Sequence, residues 1–84
     1  MKHVSTEGLD DLDDVLRRLR EIDGLTEKKR GVFYRRSRAF LHFHEDPSGL
    51  YADVRLADEF ERVRVTTTAE RKRLLGLVRA AMRG

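Results

Sequence analysis

The chain has no cysteine and no tryptophan, a single proline, and no long apolar run. Without cysteine, disulfide scaffolds, thiolate zinc sites and cysteine nucleophiles are excluded. A bilayer-crossing helix needs about eighteen consecutive apolar residues, and nothing here approaches that, so no membrane partner is expected. The opening residues Met1-Lys2-His3-Val4-Ser5-Thr6-Glu7 carry no apolar export segment, which makes the cytoplasm the expected location. The six glycines fall mostly at element ends and form no phosphate-cradling loop. Ser37 and Ser48 sit in turns, and Thr66, Thr67 and Thr68 lead into a helix, so no nucleophile lies in line with a histidine–acid pair. No catalytic signature is present, and no cofactor is assigned.

What remains is a short, charged and well-patterned chain. Its 84 residues are 39% hydrophobic and 39% charged, too apolar for a disordered tail. A chain of this size buries about 60–65% of its unfolded surface, enough for one modest core. A single domain over 1–84 is expected, with 1–6 as a loose N-terminus. The net charge of +3 is unevenly spread. Residues 1–24 hold four basic and seven acidic groups, and residues 25–84 hold fourteen basic and eight acidic ones. Fourteen of the eighteen basic residues are arginine, whose flat fork suits phosphate, carboxylate and aromatic partners.

Leu9, Leu12, Val15, Leu16, Leu19 and Ile22 recur at three- and four-residue steps and predict an amphipathic helix. Ser5 or Thr6 would cap it, Gly24 would stop it, and Asp13–Arg17 and Asp14–Arg18 would pair along it. Residues 25–30 read as a charged connector. The apolar period then falls to two, giving strands over 31–35, 38–45, 50–56 and 60–65. Asp46-Pro47-Ser48-Gly49 is a strong turn, whereas Arg36-Ser37 is a weaker one because neither residue favours positive φ. Thr67-Thr68-Ala69-Glu70 fits a capping box for a last helix striped by Leu74, Leu77, Val78 and Ala81. The expected fold is therefore α+β, a two-layer sandwich: a four-stranded antiparallel β-meander with N- and C-terminal helices packed on one face (α-β-β-β-β-α).

Strand parity then sorts the side chains. Pairing across the Asp46–Gly49 turn sets Phe43 opposite Ala52, Leu41 opposite Val54 and Ala39 opposite Leu56 on the covered face. The reverse face would carry His44 opposite Tyr51, His42 opposite Asp53 and Phe40 opposite Arg55. Val32 and Tyr34 would point inward and Phe33 outward beside Phe40; with Val63 and Val65 inward, Arg62 and Arg64 point away. The predicted binding face is thus Phe33, Arg35, Arg38, Phe40, His42, His44, Tyr51, Arg55, Arg62 and Arg64. Rings among arginines on an open sheet fit a single-stranded nucleic acid or an acidic protein. The alternative is a homodimer, or a toxin–antitoxin-like partner protein, covering the same face.

His42-Phe43-His44 with Asp53 raises a third reading, a metal-dependent enzyme. Structural zinc wants four good ligands and the chain offers at most three nearby. The register also places Arg64 beside Asp53, so an Asp–Arg or Asp–His⁺ pair is the simpler account and no metal is assigned.

Ile22-Asp23-Gly24-Leu25-Thr26-Glu27 ending a helix, a strand pair from Phe33 to Phe43, and Val63-Arg64-Val65-Thr66-Thr67 entering a helix together resemble the small YjbR/MmcQ-type domains. The His-x-His strand within this outline also resembles a small luciferase-associated bacterial domain. The likeness spans about residues 9–82. It implies an antiparallel sheet with helices and, for the YjbR type, DNA binding. The chain departs from that type in its shortness, its lack of tryptophan and its lack of a Ser-Tyr pair in the last helix, and no catalytic residue carries over.

Overall fold

The computed structural model describes residues 1–84. The chain runs β1 (Lys2–His3), α1 (Thr6–Asp11), α2 (Asp13–Arg20), β2 (Leu25–Lys29), β3 (Val32–Arg35), β4 (Arg38–Asp46), β5 (Gly49–Arg55), β6 (Phe60–Arg64) and α3 (Thr68–Arg83). The α+β class and the antiparallel sheet hold, but the sheet has six strands and the helices number three. No helix is long and apolar enough to cross a membrane.

Two strands appear where none was expected. Residues 25–29 form an edge strand against β3, because their alternation is carried by ion pairing rather than by apolar residues. Glu27, opposite Phe33, accepts from Arg20 of α2 and from the Gly31 N–H at 2.9 Å, and these contacts hold its carboxyl below the usual range. Residues 1–6, expected to be loose, are also anchored. Lys2 pairs with Glu45 and His3 with His44, Val4 packs on the core, and Ser5 caps α1 by accepting from the Gly8 N–H at 3.1 Å. β1 thus extends the same edge of β4 that β3 leaves after Leu41.

The N-terminal helix is interrupted at Leu12, whose side chain is wholly buried. The Leu12 N–H donates to Gly8 and Leu9 carbonyls, and the Leu12 carbonyl accepts from Leu16, so little backbone bonding is lost at the break. Arg17 reaches both Asp13 (3.1 Å) and Asp14 (3.2 Å), and the expected Asp14–Arg18 pair does not form. At the other end, Thr67 and Glu70 close the capping box, each side chain bonding the other's backbone N–H. Leu12, Val15, Leu16 and Leu19 from the first helices join Leu74, Leu75 and Val78 of α3 and Leu41, Phe43, Ala52, Val54, Val63 and Val65 in one core. The helices therefore contribute to this core from a single side of the sheet.

The β4–β5 register is the expected one, from Leu41 opposite Val54 to Asp46 opposite Gly49. The β3–β4 hairpin is not. Arg36 (φ 52°) and Ser37 (φ 67°) do form a two-residue turn with both φ positive, so Arg35 pairs with Arg38 and Tyr34 with Ala39. Phe33 then pairs with Leu41, which leaves Phe40 as an extra residue in β4. This bulge turns β3 over relative to the simple alternation. Phe33 (1% exposed) and Phe40 (2% exposed) both enter the core, while Val32, Tyr34 and Ala39 stay outside it. Two phenylalanines bury more apolar area than a valine, an alanine and a tyrosine with its hydroxyl to satisfy, so the bulge is favoured by burial.

Candidate functional site

The sheet surface opposite the core runs from β2 to β6, with β1 at one end, and its candidate residues lie on β4, β5 and β6. Of the ten residues expected there, six are present: His42, His44, Tyr51, Arg55, Arg62 and Arg64. Phe33 and Phe40 are in the core. Arg35 is turned with β3 to the helix side, where its guanidinium donates to the Ala81 carbonyl of α3 at 3.4 Å, and Arg38 pairs opposite it.

Cross-strand rows organise what remains. One row is His44, Tyr51 and Arg64; the next is His42, Asp53 and Arg62; a third pairs Arg55 with Phe60. Asp53 stands opposite His42 and diagonal to His44, and it is Arg62, not Arg64, that faces it. Arg62 grips Asp53 with both prongs, Nε to Oδ1 at 2.8 Å and Nη2 to Oδ2 at 2.9 Å. His44 Nε2 lies 3.1 Å and His42 Nε2 3.6 Å from the same Oδ2. The Arg62 fork holds the Asp53 carboxyl below its ordinary range against the opposing effect of burial. His44 Nδ1 is buried with no hydrogen-bond partner, and the Nε2 of the same ring faces the Asp53 carboxylate.

His3 and Phe60 complete the surface, and neither was expected there. His3 stacks on His44 with ring centroids 5.4 Å apart, delivered by β1. Phe60 meets the edge of His42 at 5.2 Å, and the Arg55 guanidinium lies 4.4 Å above its ring. Arg55 also donates to the Ala39 and Asp58 carbonyls. Phe60 was legible, since the parity that buries Val63 turns Phe60 outward with Arg62 and Arg64. His3 had no such signal, because a two-residue strand shows no alternation. Arg64 is paired too, with Glu70 at 3.0 Å, and it donates to the Ser48 carbonyl; the Ser48 hydroxyl contacts the Tyr51 hydroxyl at 2.7 Å.

Burial pushes the His42 imidazolium below its ordinary value, with His44 adding to the shift and Asp53 opposing it. The unfolded chain therefore takes up this proton first as pH falls. Stability contributed by neutral His42 is complete above about pH 6.5 and declines below it until the folded histidine also protonates. Asp53, likewise lowered from its own reference, adds a separate loss only below about pH 4. Thermal unfolding at pH 7.5, 6.5 and 5.5 should show the midpoint falling over this range, and His42→Gln should flatten that fall. An unchanged slope in the variant would remove His42 as its source.

Compared with known proteins, the chain matches no family model, no curated protein and no solved structure.

Proposed function

We propose that the domain is a binding module without a catalytic step, engaging a flexible polyanion, single-stranded nucleic acid first, through the open sheet face. The observation that carries this reading is the placement of Tyr51, His42 and Phe60 rings among Arg55, Arg62 and Arg64 on the side of the sheet that no helix covers. Bases stack on such rings at about 1–3 kcal/mol each, and arginines beside them neutralise phosphates. DNA binding implied by the resemblance to YjbR/MmcQ-type domains is part of the same proposal. Intracellular location belongs with it.

A labelled single-stranded oligonucleotide, followed by fluorescence polarisation, provides the test. Binding in the micromolar range is expected at low salt, with a log–log salt slope of about −2 if three arginines contact phosphates. Tyr51→Ala and Phe60→Ala should each weaken it roughly tenfold. Absence of binding at low salt would end this reading.

A second reading is favoured by one observation. Arg62 and Arg64 are already paired with Asp53 and Glu70, so much of the face's charge is internally compensated, as suits a second copy of the chain. Light scattering at two concentrations separates the two: a dimer that Phe60→Arg dissociates would replace the polyanion with a homodimer contact.

A further inference from the structure

The geometry points to a divalent transition-metal site formed by His42 Nε2, His44 Nε2 and Asp53 Oδ2. The three ligand atoms lie within 4.8 Å of one another. Zinc bound by nitrogen and carboxylate oxygen at about 2.0–2.2 Å, in tetrahedral array, sets its ligands about 3.3 Å apart. The two histidine-to-aspartate separations, 3.1 and 3.6 Å, bracket that edge, and only the two imidazoles must draw closer.

The sheet supplies this set without any special loop. Alternation along β4 projects residues 42 and 44 from one face, and the antiparallel register brings Asp53 alongside both. The three side chains are well enclosed, His42 28% exposed and the other two 13%. Around them stand the features that metal centres recruit. Arg62 bonds both Asp53 oxygens, Nε to Oδ1 and Nη2 to Oδ2, which fixes the carboxylate plane; Oδ2 keeps its second lone pair for the ion on the histidine side. Phe60 and His3 wall the two imidazoles on opposite sides, limiting their rotation.

Two histidines and one carboxylate leave coordination positions open, the pattern of zinc and non-haem iron centres that bind a further ligand rather than of closed structural zinc. The open positions face the uncovered side of the sheet, where water or an anionic ligand can enter. The site shares His42 and Arg62 with the polyanion face but needs no oligonucleotide to be tested.

The probe is zinc alone, titrated into the untagged full chain at pH 7.5 and followed by calorimetry and by long-range proton–nitrogen spectra of the histidine rings. One equivalent should bind, with Nε2 of His42 and His44 shifting and both rings adopting the Nδ1–H tautomer, while His3 changes little. His44→Gln and Asp53→Asn should each weaken binding about a hundredfold or more, and His3→Ala should keep the one-equivalent stoichiometry. The ring spectra of the unmodified chain decide the matter even where a variant folds poorly. Three outcomes would each overturn the site: no ring responding to excess zinc, all three histidines responding alike with more than one equivalent, or Asp53→Asn binding as tightly as the parent.

Discussion

Phe33→Ala should lower the thermal midpoint by roughly 12–40 °C. Truncating a buried phenylalanine costs about 3–5 kcal/mol, and each kcal/mol moves the midpoint of a domain this size by about 4–8 °C. The whole stability of such a chain is about 4–13 kcal/mol, so a large share goes with one ring. The size of the effect follows from the bulge at Phe40, which seats Phe33 opposite Leu41 in the core. Phe60→Ala is the control. That ring is 38% exposed and held by a guanidinium, and its loss should cost about 1 kcal/mol or less. Equal, small costs for the two variants, measured by denaturant unfolding, would place Phe33 on the open face and dismiss the bulge.

The second large effect should come from Arg71→Ala, about 2 kcal/mol. Its guanidinium donates to the Val65 carbonyl at 2.9 Å, to the Asp11 carbonyl at 3.0 Å and to the Asp11 carboxylate at 3.1 Å. One side chain on α3 thus fastens the end of α1 and the exit from β6, and it is only 16% exposed. Deleting it leaves two backbone carbonyls without their donors. Arg71→Lys should recover little, because an ammonium is a single point and cannot serve acceptors spread around a planar fork. Full recovery by lysine would mean that charge alone, and not the forked geometry, holds the three elements.

The difference between what was readable and what was not lies in who supplies the periodicity. Strands β4 and β5 are joined by Asp46-Pro47-Ser48-Gly49, whose chemistry permits one register, and their apolar residues alternate without fault; the His42–Asp53 and His44–Tyr51 pairs were readable for that reason. The capping box at Thr67 was equally plain, since both of its side chains are in the sequence at fixed spacing. The β3–β4 hairpin failed differently. The turn was placed correctly at Arg36-Ser37, but Phe40-Leu41 are adjacent apolar residues, and alternation must choose one of them. The protein keeps both by inserting a bulge, and every side chain of β3 changes sides, taking Arg35 and Phe33 off the candidate face. Strand β2 hid because its inward group is a glutamate, whose partner Arg20 lies seven residues earlier on a helix. At the candidate site, the diagonal reach of Asp53 to His44 could be drawn from the register, whereas the arrival of His3 depends on a two-residue contact.

The order of strands in the sheet, β2-β3-β4-β5-β6, is also their order along the chain, and only β1 joins out of turn. Each of the four hairpins can close before the next is made, so most of the loop-closure entropy is spent in small steps and the contact order is low for so β-rich a domain. β1 must span the whole distance from residue 3 to residue 44 to find its neighbour. It should therefore dock after the hairpins have formed and be the first to exchange its amide hydrogens with solvent, so that the His3 wall of the imidazole cluster opens and shuts while the sheet beneath it stays intact.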